Sequence, residues 1–359
     1  MQHNGTGVPP TMRAVVMVAP NRLEMQTVDT PKPGPMEVLC RVRAIGICGT
    51  DPHIISGEYM GRWPKALPFI PGHEWAGEVV ALGPGAEGMG WAIGDRVAGT
   101  SHAGCGYCRM CTSGRYNLCL NYGREDLGHR QYGHYTNGCY ADYVVHSIKS
   151  VHKLPPSLSF EEGALLDPAS IALHAVKQGK VHPGDTVVVI GPGPIGALSY
   201  LCARAIGAAR VIVVGRGPRL ELLRKMGAET VDITQGDPVA AVLERTGIGA
   251  DLCVDAAGTP ETIRWSFDMV RKGGRVVLPG GAWVEEAPVP IRRLVLEEME
   301  VFGCRANRGT CEEVIPLMST GQIDVKPLIT HRFPLAEYQQ ALGTLVDRSK
   351  GAMKVIMEP

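Results

Sequence analysis

The sequence predicts an α/β protein in which a mostly β domain precedes a domain built on a doubly wound parallel sheet. Residues 157–299 contain short apolar runs, such as Thr186–Ile190 and Val211–Val214, on either side of a helical stretch at Ile195–Ile206. Apolar strands that alternate with helices indicate a parallel sheet covered on both faces. Residues 12–156 are instead rich in Gly, Pro, His and Cys and contain short β-type runs, which indicates an irregular, mostly β domain with functional loops.

The length and the ends of the chain fit this division. A chain of 359 residues is long for one hydrophobic core and suits two domains. Residues 1–11 precede the first β-type run, and we expect them to form a short disordered tail. Residues 300–359 form a last segment that ends in another β-type run, Met353–Met357.

The composition excludes several classes of function. The formal net charge is zero, so no overall field favours binding to nucleic acid or to an anionic membrane. No run approaches the roughly 18 apolar residues that a membrane span needs. The N-terminal residues lack the charged start and apolar core of a signal peptide. We therefore expect a cytoplasmic protein with no nucleic-acid or membrane partner.

The use of cysteine points to metal rather than to disulfides. Eleven cysteines in a long chain without an export signal favour metal binding or catalysis. Four of them, Cys105, Cys108, Cys111 and Cys119, follow the pattern C-x2-C-x2-C-x7-C, and thiolates at such spacings can converge tetrahedrally on one zinc ion. Four thiolates leave no open position, so the predicted zinc site is structural. The alternatives are four reduced cysteines without metal and an iron–sulfur centre, although nothing else in the sequence indicates electron transfer.

A glycine-rich turn follows the apolar run Thr186–Ile190. Gly191, Gly193 and Gly196 form the pattern G-x-G-x-x-G between a strand and a helix. In that context the turn brings backbone N–H groups and a helix N-terminus to the pyrophosphate of a dinucleotide. The alternative is a Gly-Pro turn that binds no ligand.

The end of the next strand bears on which dinucleotide is bound. An NAD site usually has an acidic residue there for the adenine ribose, and Gly215 takes that place. Gly215 leaves room for a 2′-phosphate, with which Arg216 and Arg219 could pair. This pattern favours NADP over NAD, and Gly215→Asp is expected to reverse the preference. In the alternative interpretation the arginines stack on adenine or face solvent.

A second group of metal-binding residue types could form a catalytic site. Cys48 and His73 offer a thiolate and an imidazole, which are good zinc ligands, although each alone could be an ordinary buried residue. Together with Glu74 and Asp167 they could hold a zinc ion that keeps an open or exchangeable position.

An ordered series of motifs carries a family resemblance. The motifs CGTDPH, GHEWAGEVV, GDRV, the four-cysteine segment, GCYADYVV and GPGPIG occur in this order. In these motifs the chain resembles the zinc-containing medium-chain dehydrogenases/reductases, which include alcohol, sorbitol, butanediol and threonine dehydrogenases. The resemblance extends from Met12 to near the C-terminus. It implies a GroES-like catalytic domain built from residues 12–156 and 300–359, with a Rossmann dinucleotide-binding domain at 157–299.

The resemblance also implies roles for individual residues. Cys48 and His73 match the catalytic zinc ligands, Glu74 the adjacent glutamate, and Asp167 the remaining protein ligand. Thr50 and His53 match a proton relay, in which the threonine takes the proton of the substrate alcohol and the histidine releases it to solvent. The expected cofactor contacts are Gly191, Gly193, Ile195, Gly196, Gly215, Arg216, Arg219, Leu278 and Arg305, of which Arg305 matches an arginine that polyol dehydrogenases place near the substrate.

The segment Asn121–Thr136 is rich in His and Tyr. It either lines the substrate site or forms a polar surface loop.

The function that the resemblance implies is zinc-dependent hydride transfer between NAD(P) and a secondary alcohol or polyol, or its ketone. Two zinc ions per chain and a homodimer or homotetramer are expected. An NAD-dependent amino-alcohol dehydrogenase of the threonine type is the alternative within the enzymes. A non-catalytic dinucleotide-binding protein of the same fold is the alternative from another functional class. Such a protein would be marked by the loss of a zinc ligand or a relay residue, and the sequence retains all of these residues.

Overall fold

A computed structural model of the protein describes residues 7–281 and 284–359, and residues 1–6 of the predicted tail lie outside the described residues. The strands, in chain order, are β1 (Thr11–Ala19), β2 (Arg22–Asp29), β3 (Glu37–Gly46), β4 (Glu74–Leu82), β5 (Arg96–Gly99), β6 (His102–Ala103), β7 (Arg130–Gln131), β8 (Tyr143–Ser147), β9 (Val151–Lys153), β10 (Thr186–Ile190), β11 (Arg210–Gly215), β12 (Glu229–Asp232), β13 (Ala250–Asp255), β14 (Val270–Leu278), β15 (Glu300–Gly303), β16 (Ile329–Pro334) and β17 (Lys354–Glu358). The α-helices are α1 (Asp51–Ile55), α2 (Arg109–Thr112), α3 (Phe160–Gly163), α4 (Leu166–Gln178), α5 (Pro194–Ala205), α6 (Gly217–Lys225), α7 (Pro238–Thr246), α8 (Pro260–Asp268), α9 (Ile291–Leu296), α10 (Cys311–Ser319) and α11 (Tyr338–Val346). None of the helices in the described ranges combines the length and the apolar character that crossing a bilayer requires.

The chain divides into two compact units. The first unit contains the described residues up to Asp167, together with Ile329–Arg348 and Lys354–Pro359. The second unit contains Pro168–Leu328 and Ser349–Met353. The sequence places the corresponding limits after residues 156 and 299. The second unit continues past residue 299 because β15 is the sixth strand of its sheet.

The first unit is built on a seven-stranded sheet that joins distant parts of the chain. The strand order is β16-β17-β3-β4-β5-β9, and β8 also pairs with β3. Strand β3 lies at the centre and runs antiparallel to β4, β8 and β17. Most of its side chains are buried, as expected for a strand covered on both faces. The C-terminal strand β17 therefore lies beside the end of β3.

The second unit contains a parallel sheet of six strands. Its order is β12-β11-β10-β13-β14-β15, and every neighbouring pair is parallel. Numbered from β10, this is the order 3-2-1-4-5-6 of doubly wound sheets, in which ligands bind at the carboxyl ends of the strands. The predicted fold class, a mostly β domain with a doubly wound parallel-sheet domain, is confirmed.

The starts of the helices in the second unit differ in how they are capped. Asp237 caps α7 with its side chain, and Thr259 and Thr262 form a capping box at α8. Helix α5 is capped by Gly193 and helix α6 by Arg216, and neither residue makes a side-chain cap hydrogen bond. The first N–H groups of these two helices therefore remain available to a ligand.

Candidate active site

Strand pairing brings three of the predicted catalytic zinc ligands together. Cys48 follows the end of β3, and Glu74, directly after His73, begins β4 and is paired with Gly46 of β3. One ligand atom from each of Cys48, His73 and Glu74 consequently lies within 4.8 Å of the other two. His73 and Glu74 are buried and Cys48 is partly exposed, so the cluster is accessible on the side of the thiol.

Asp167, the fourth predicted ligand, is not one of these closely spaced groups. It is buried in the first turn of α4, and its Oδ1 accepts a hydrogen bond from the backbone N–H of Ser101 at 3.0 Å. Burial raises the pKa of Asp167 to about 6, while the charge of His73 acts to lower that pKa. Asp167 is therefore near enough to interact electrostatically with His73, but it lies outside the close grouping of Cys48, His73 and Glu74.

Glu74 is held by a lysine that the sequence analysis did not single out. Lys354 of β17 donates from Nζ to Oε2 of Glu74 and, at 3.1 Å, to the carbonyl oxygen of Ile47. Both side chains of the ion pair are almost completely buried. Because a buried carboxylate without a partner is strongly unfavourable, the ion pair with Lys354 stabilises the buried position of Glu74.

Asp51, a second residue that the sequence analysis did not single out, orients the imidazole of His73. Its Oδ2 accepts hydrogen bonds from the backbone N–H of Cys48 at 2.9 Å and from the hydroxyl of Tyr140 at 2.8 Å. Its Oδ1 faces Nδ1 of His73 at 3.5 Å, and neither of these two buried atoms has a hydrogen-bond partner among the described residues. A carboxylate beside one ring nitrogen leaves the other nitrogen for a metal ion, as is usual for histidine ligands of zinc.

The ionisable side chains of this site are mainly acidic. Burial by itself lowers the pKa of His73, but Cys48, Asp51 and Asp167 outweigh it and raise that pKa to about 10. Three buried carboxyl groups and the partly exposed thiol of Cys48 thus lie close to His73, to its buried neighbour His134 and to Lys354. A divalent cation would remove the excess of negative charge, and a set of thiolate, imidazole and carboxylate donors suits zinc.

The two predicted relay residues lie at the start of helix α1. Thr50 is the residue before the helix, and its Oγ1 is 3.6 Å from Sγ of Cys48. His53 is exposed, and its Nδ1 is 2.7 Å from Oε2 of Glu58. The threonine hydroxyl thus lies beside a predicted zinc ligand, whereas the histidine is in contact with solvent.

The segment Asn121–Thr136 contributes one side chain to this site. His134 is buried, and the centroid of its ring is 4.6 Å from that of His73 and 4.8 Å from that of Trp63. Another part of the segment carries an exposed ion pair. The segment therefore has a buried part beside His73 and an exposed part, and the prediction that it lines a substrate site stays a prediction.

The four cysteines of the C-x2-C-x2-C-x7-C pattern converge. The Sγ atoms of Cys105 and Cys111 are 3.8 Å apart, as are those of Cys108 and Cys119. Tetrahedral zinc with Zn–S bonds of about 2.3 Å separates its sulfur atoms by roughly 3.8 Å. Backbone hydrogen bonds, first that from Cys111, lower the pKa of Cys108 to about 6. The four sulfur atoms therefore fit a closed structural zinc site.

In the second unit, the turn after β10 has the shape of a phosphate-binding turn. Gly191 has φ 99°, and a Cβ added to Gly196 would lie 1.8 Å from the carbonyl oxygen of Gly191. A Cβ added to Gly193 would meet no described heavy atom within 4 Å, so there is open space in front of the N-terminus of α5. Backbone N–H groups at a helix N-terminus bind phosphate, and the turn fits the pyrophosphate of a dinucleotide.

The end of β11 carries the residues expected at the adenosine ribose. Gly215 is buried and Arg216 is exposed. Arg219 donates from Nε to the carbonyl oxygen of Ala352 at 2.7 Å, so part of its guanidinium group is held by the protein. Arg216 is therefore the more accessible of the two arginines that the sequence analysis assigned to a phosphate.

The remaining predicted cofactor residues lie at the same edge of the sheet. Ile195 is in the first turn of α5, Leu278 ends β14, and the exposed Arg305 follows β15. The sequence analysis did not predict that His174, with Nδ1 2.7 Å from the carbonyl oxygen of Ala306, anchors the turn after Arg305. Because the carboxyl ends of parallel strands meet at one edge, these residues lie on the same side of the sheet as the glycine turn.

Comparison with known protein families gives two matches. Residues 34–156 match the alcohol dehydrogenase GroES-like domain. Residues 194–320 match the zinc-binding dehydrogenase domain.

Several curated proteins are similar over nearly the whole chain. A sorbitol dehydrogenase of Bacillus subtilis is 32% identical over 355 residues, which cover 98% of both chains. An L-idonate 5-dehydrogenase of Vitis vinifera is 34% identical, with 93% of this chain and 91% of that protein covered. An L-threonine 3-dehydrogenase of Alteromonas mediterranea is 33% identical, with 92% and 95% covered.

Solved structures agree in fold over the same range. A zinc-binding dehydrogenase of Sinorhizobium meliloti bound to NADP has a TM-score of 0.86 and 31% identity, covering 98% of this chain and 100% of that chain. The 2R,3R-butanediol dehydrogenase of Bacillus subtilis also has a TM-score of 0.86, with 28% identity and coverage of 97% and 99%.

The pair of Lys354 and Glu74 gives a prediction for stability. Lys354→Met leaves Glu74 buried without its cation, and we expect the free energy of unfolding to fall by about 3–5 kcal/mol. Urea denaturation followed through the fluorescence of the buried Trp75 measures this change. Lys177→Met, which breaks the exposed pair with Glu313, is the matched control and should change stability by less than about 1 kcal/mol. Equal effects of the two substitutions would contradict the assigned role of Lys354.

Proposed function

The chain belongs to the zinc-containing medium-chain dehydrogenase/reductase family, and from that premise we propose that it is a zinc-dependent oxidoreductase of a secondary alcohol or polyol, or of the corresponding ketone, with NAD(P). The observation that carries the proposal is the close grouping of Cys48, His73 and Glu74 in a chain that also has a dinucleotide-type glycine turn. Relatives named sorbitol, L-idonate and butanediol dehydrogenases support a substrate with a CH–OH group.

The residues of the reacting centre have distinct tasks in this proposal. Zinc supplies a Lewis acid that polarises the substrate oxygen, and the nicotinamide supplies the redox chemistry. Cys48 and His73 would hold the ion, and Asp51 would keep the imidazole in the orientation for metal binding. Asp167 and Glu74 supply carboxylate groups near the predicted zinc position. One carboxylate oxygen of Glu74 accepts a hydrogen bond from Lys354.

The proton of the substrate hydroxyl leaves through Thr50 and His53. The position of Thr50 beside Cys48 supports its role as the first acceptor. The exposure of His53 and its pairing with Glu58 support its role in the release of the proton to solvent. The threonine hydroxyl has no substitute in this arrangement, whereas water can replace an exposed histidine in part.

Two zinc ions per chain are proposed, one at the reacting centre and one in the four-cysteine site. The convergence of the four sulfur atoms supports the second ion, which would have no open position and no part in the chemistry. All eleven cysteines lack disulfide partners. Reduced cysteines are usual in reducing compartments, which supports a cytoplasmic location.

We propose NADP as the preferred cofactor. Gly215 offers no carboxylate to the ribose hydroxyls, and the exposed Arg216 follows it at the N-terminus of α6. Solved relatives are bound to NADP in one case and to NADH in another, so the choice rests on Gly215 and Arg216.

A homodimer is proposed through the outer edge of the parallel sheet. Ile291, Val295 and Leu296 of α9 are 62–70% exposed, and β15 lies at the edge of the sheet among the described residues. Exposed apolar patches and open strand edges favour association. Sedimentation velocity should give a species of at least twice the chain mass, and a single monomeric species would contradict the proposal.

An amino alcohol is the second candidate substrate, because the threonine dehydrogenase relative is as similar in sequence as the polyol dehydrogenases. Polyols, diols, simple secondary alcohols and L-threonine should therefore be assayed separately with NAD and with NADP. We expect the highest kcat/KM for a diol or polyol. A higher kcat/KM for L-threonine would identify an amino alcohol, rather than a diol or polyol, as the substrate class. If the zinc-loaded protein turned over none of these substrates, a non-catalytic role would be favoured.

The relay gives a prediction for the rate. Thr50→Ala should lower kcat by roughly 10²–10⁴-fold, the usual range for a general acid–base group, whereas Thr50→Ser keeps the hydroxyl and should retain most of the activity. His53→Ala should cost less than Thr50→Ala. The measurement is the pH–rate profile of the three variants at equal zinc content, and an unchanged profile for Thr50→Ala would rule the relay out.

The cofactor preference gives a second prediction. A charge-assisted hydrogen bond to phosphate contributes about 1.5–3 kcal/mol, or roughly one to two decades in affinity. Arg216→Ala should therefore lower the ratio of kcat/KM for NADP over NAD by that factor. Arg224→Ala, at the other end of α6 and paired with Glu221, is the matched control. A ratio that Arg216→Ala leaves unchanged would show that Arg216 does not meet the phosphate.

A further inference from the structure

Pro192, the second residue of the glycine turn, lies directly against Gly215 at the end of the neighbouring strand. A Cβ added to Gly215 would lie 2.4 Å from Cδ and 2.7 Å from Cγ of Pro192. Carbon atoms that are not bonded to each other prefer separations of about 3.5–4.0 Å. No side chain can therefore be placed at residue 215 while the proline ring occupies this position.

The backbone on both sides of this contact is held in place. The N–H of Gly191 donates to the carbonyl oxygen of Val214 at 2.9 Å, and the carbonyl oxygen of Gly215 accepts from the N–H of Ile233 at 2.9 Å. A Cβ added to Gly191 would already meet the backbone of Ala257 at 2.9 Å. The turn and the strand end consequently have little freedom to move apart, and a closed proline ring cannot rotate away as a flexible side chain can.

We propose that Pro192 is a specificity-determining residue for the dinucleotide. By filling the space beside the end of β11, it requires glycine at residue 215 and excludes the acidic side chain that binds the adenine ribose hydroxyls in NAD sites. Arg216, at the start of α6, is then the first side chain after the strand that can reach the ribose. This inference rests on the proposed function only in its consequence for the cofactor, because the steric exclusion itself is independent of any ligand.

The contact with Pro192 changes the expected effect of a single substitution. From the sequence alone, Gly215→Asp is expected to reverse the cofactor preference. With Pro192 in place, the new side chain overlaps the ring, so that substitution should damage the turn and weaken the binding of both dinucleotides. Residues 192 and 215 must change together for the preference to change.

The steric part is tested by thermal unfolding of the zinc-loaded protein without dinucleotide. Gly215→Ala should lower Tm by about 2–10 °C, the range that overpacking implies. Gly303→Ala is the matched control, because Gly303 also ends a strand of the same sheet and an added Cβ meets no described heavy atom within 4 Å. In the Pro192→Ala background, Gly215→Ala should cost little, which makes the two substitutions non-additive. Equal costs of Gly215→Ala with and without Pro192 would overturn the inference.

The functional part is tested by the dissociation constants of NADH and NADPH, measured through nicotinamide fluorescence. Gly215→Asp alone should weaken both by at least roughly tenfold, and Pro192→Ala/Gly215→Asp should regain NADH binding while NADPH binding stays weak. Tight NADH binding by Gly215→Asp alone, with unchanged Tm, would overturn the inference. If Gly215→Asp fails to fold, folding of the double variant supports the inference, and failure of both overturns it.

The two proposals fail in different ways. A native protein that binds NADH more tightly than NADPH would refute the proposed cofactor preference and leave the non-additivity in Tm intact. Additive effects on Tm would refute the role of Pro192 whatever the native preference is.

Discussion

Three carboxyl groups are buried near the partly exposed thiol of Cys48, where β3 ends and β4 begins. This concentration of acidic groups constrains the first unit. Taking an ion out of water costs several kcal/mol unless a partner compensates for it. Lys354 compensates Glu74, and His73 faces Asp51 with a strongly raised pKa. A divalent cation held by Cys48 and His73 would complete the compensation and would also supply the Lewis acid of the proposed reaction.

The side chains that meet this constraint come from distant parts of the chain. The ammonium group that meets Glu74 comes from β17, which is 280 residues away in sequence and pairs with β3. The C-terminal strand thus contributes a side chain to the cluster of predicted ligands as well as belonging to the sheet. Asp51 is fixed in the same way by contacts from elsewhere, since the hydroxyl of Tyr140 binds one of its oxygens. The ligand residues are therefore oriented by groups that bind no metal themselves.

The sequence predicted those site residues that lie close to one another along the chain. Cys105–Cys119 and the turn Gly191–Gly196 each carry their chemistry within a short stretch, so spacing alone indicates it. The partners Lys354 and Asp51 depend on which strands pair, and spacing carries no information about that. One signal was present, because Lys354 is a lone charge inside the apolar run Met353–Met357, and a buried charge implies a partner.

The predicted dinucleotide site likewise contains a contact that residue spacing does not reveal. The absence of an acidic residue at Gly215 is visible in the sequence, but the proline ring that leaves no room for one lies in the turn after the neighbouring strand. The two residues are distant in the sequence, and the parallel pairing of β10 with β11 brings the turn after one strand beside the end of the other.

The central claim, that buried negative charge and converging thiolates make this a two-zinc enzyme, is tested most directly by elemental analysis alongside activity. Freshly purified protein should contain about two zinc ions per chain. Cys48→Ala should contain about one, keep its fold and lose activity, whereas Cys111→Ala should lose the other ion and with it stability. Full activity in native protein that holds one zinc ion or fewer per chain would contradict this account.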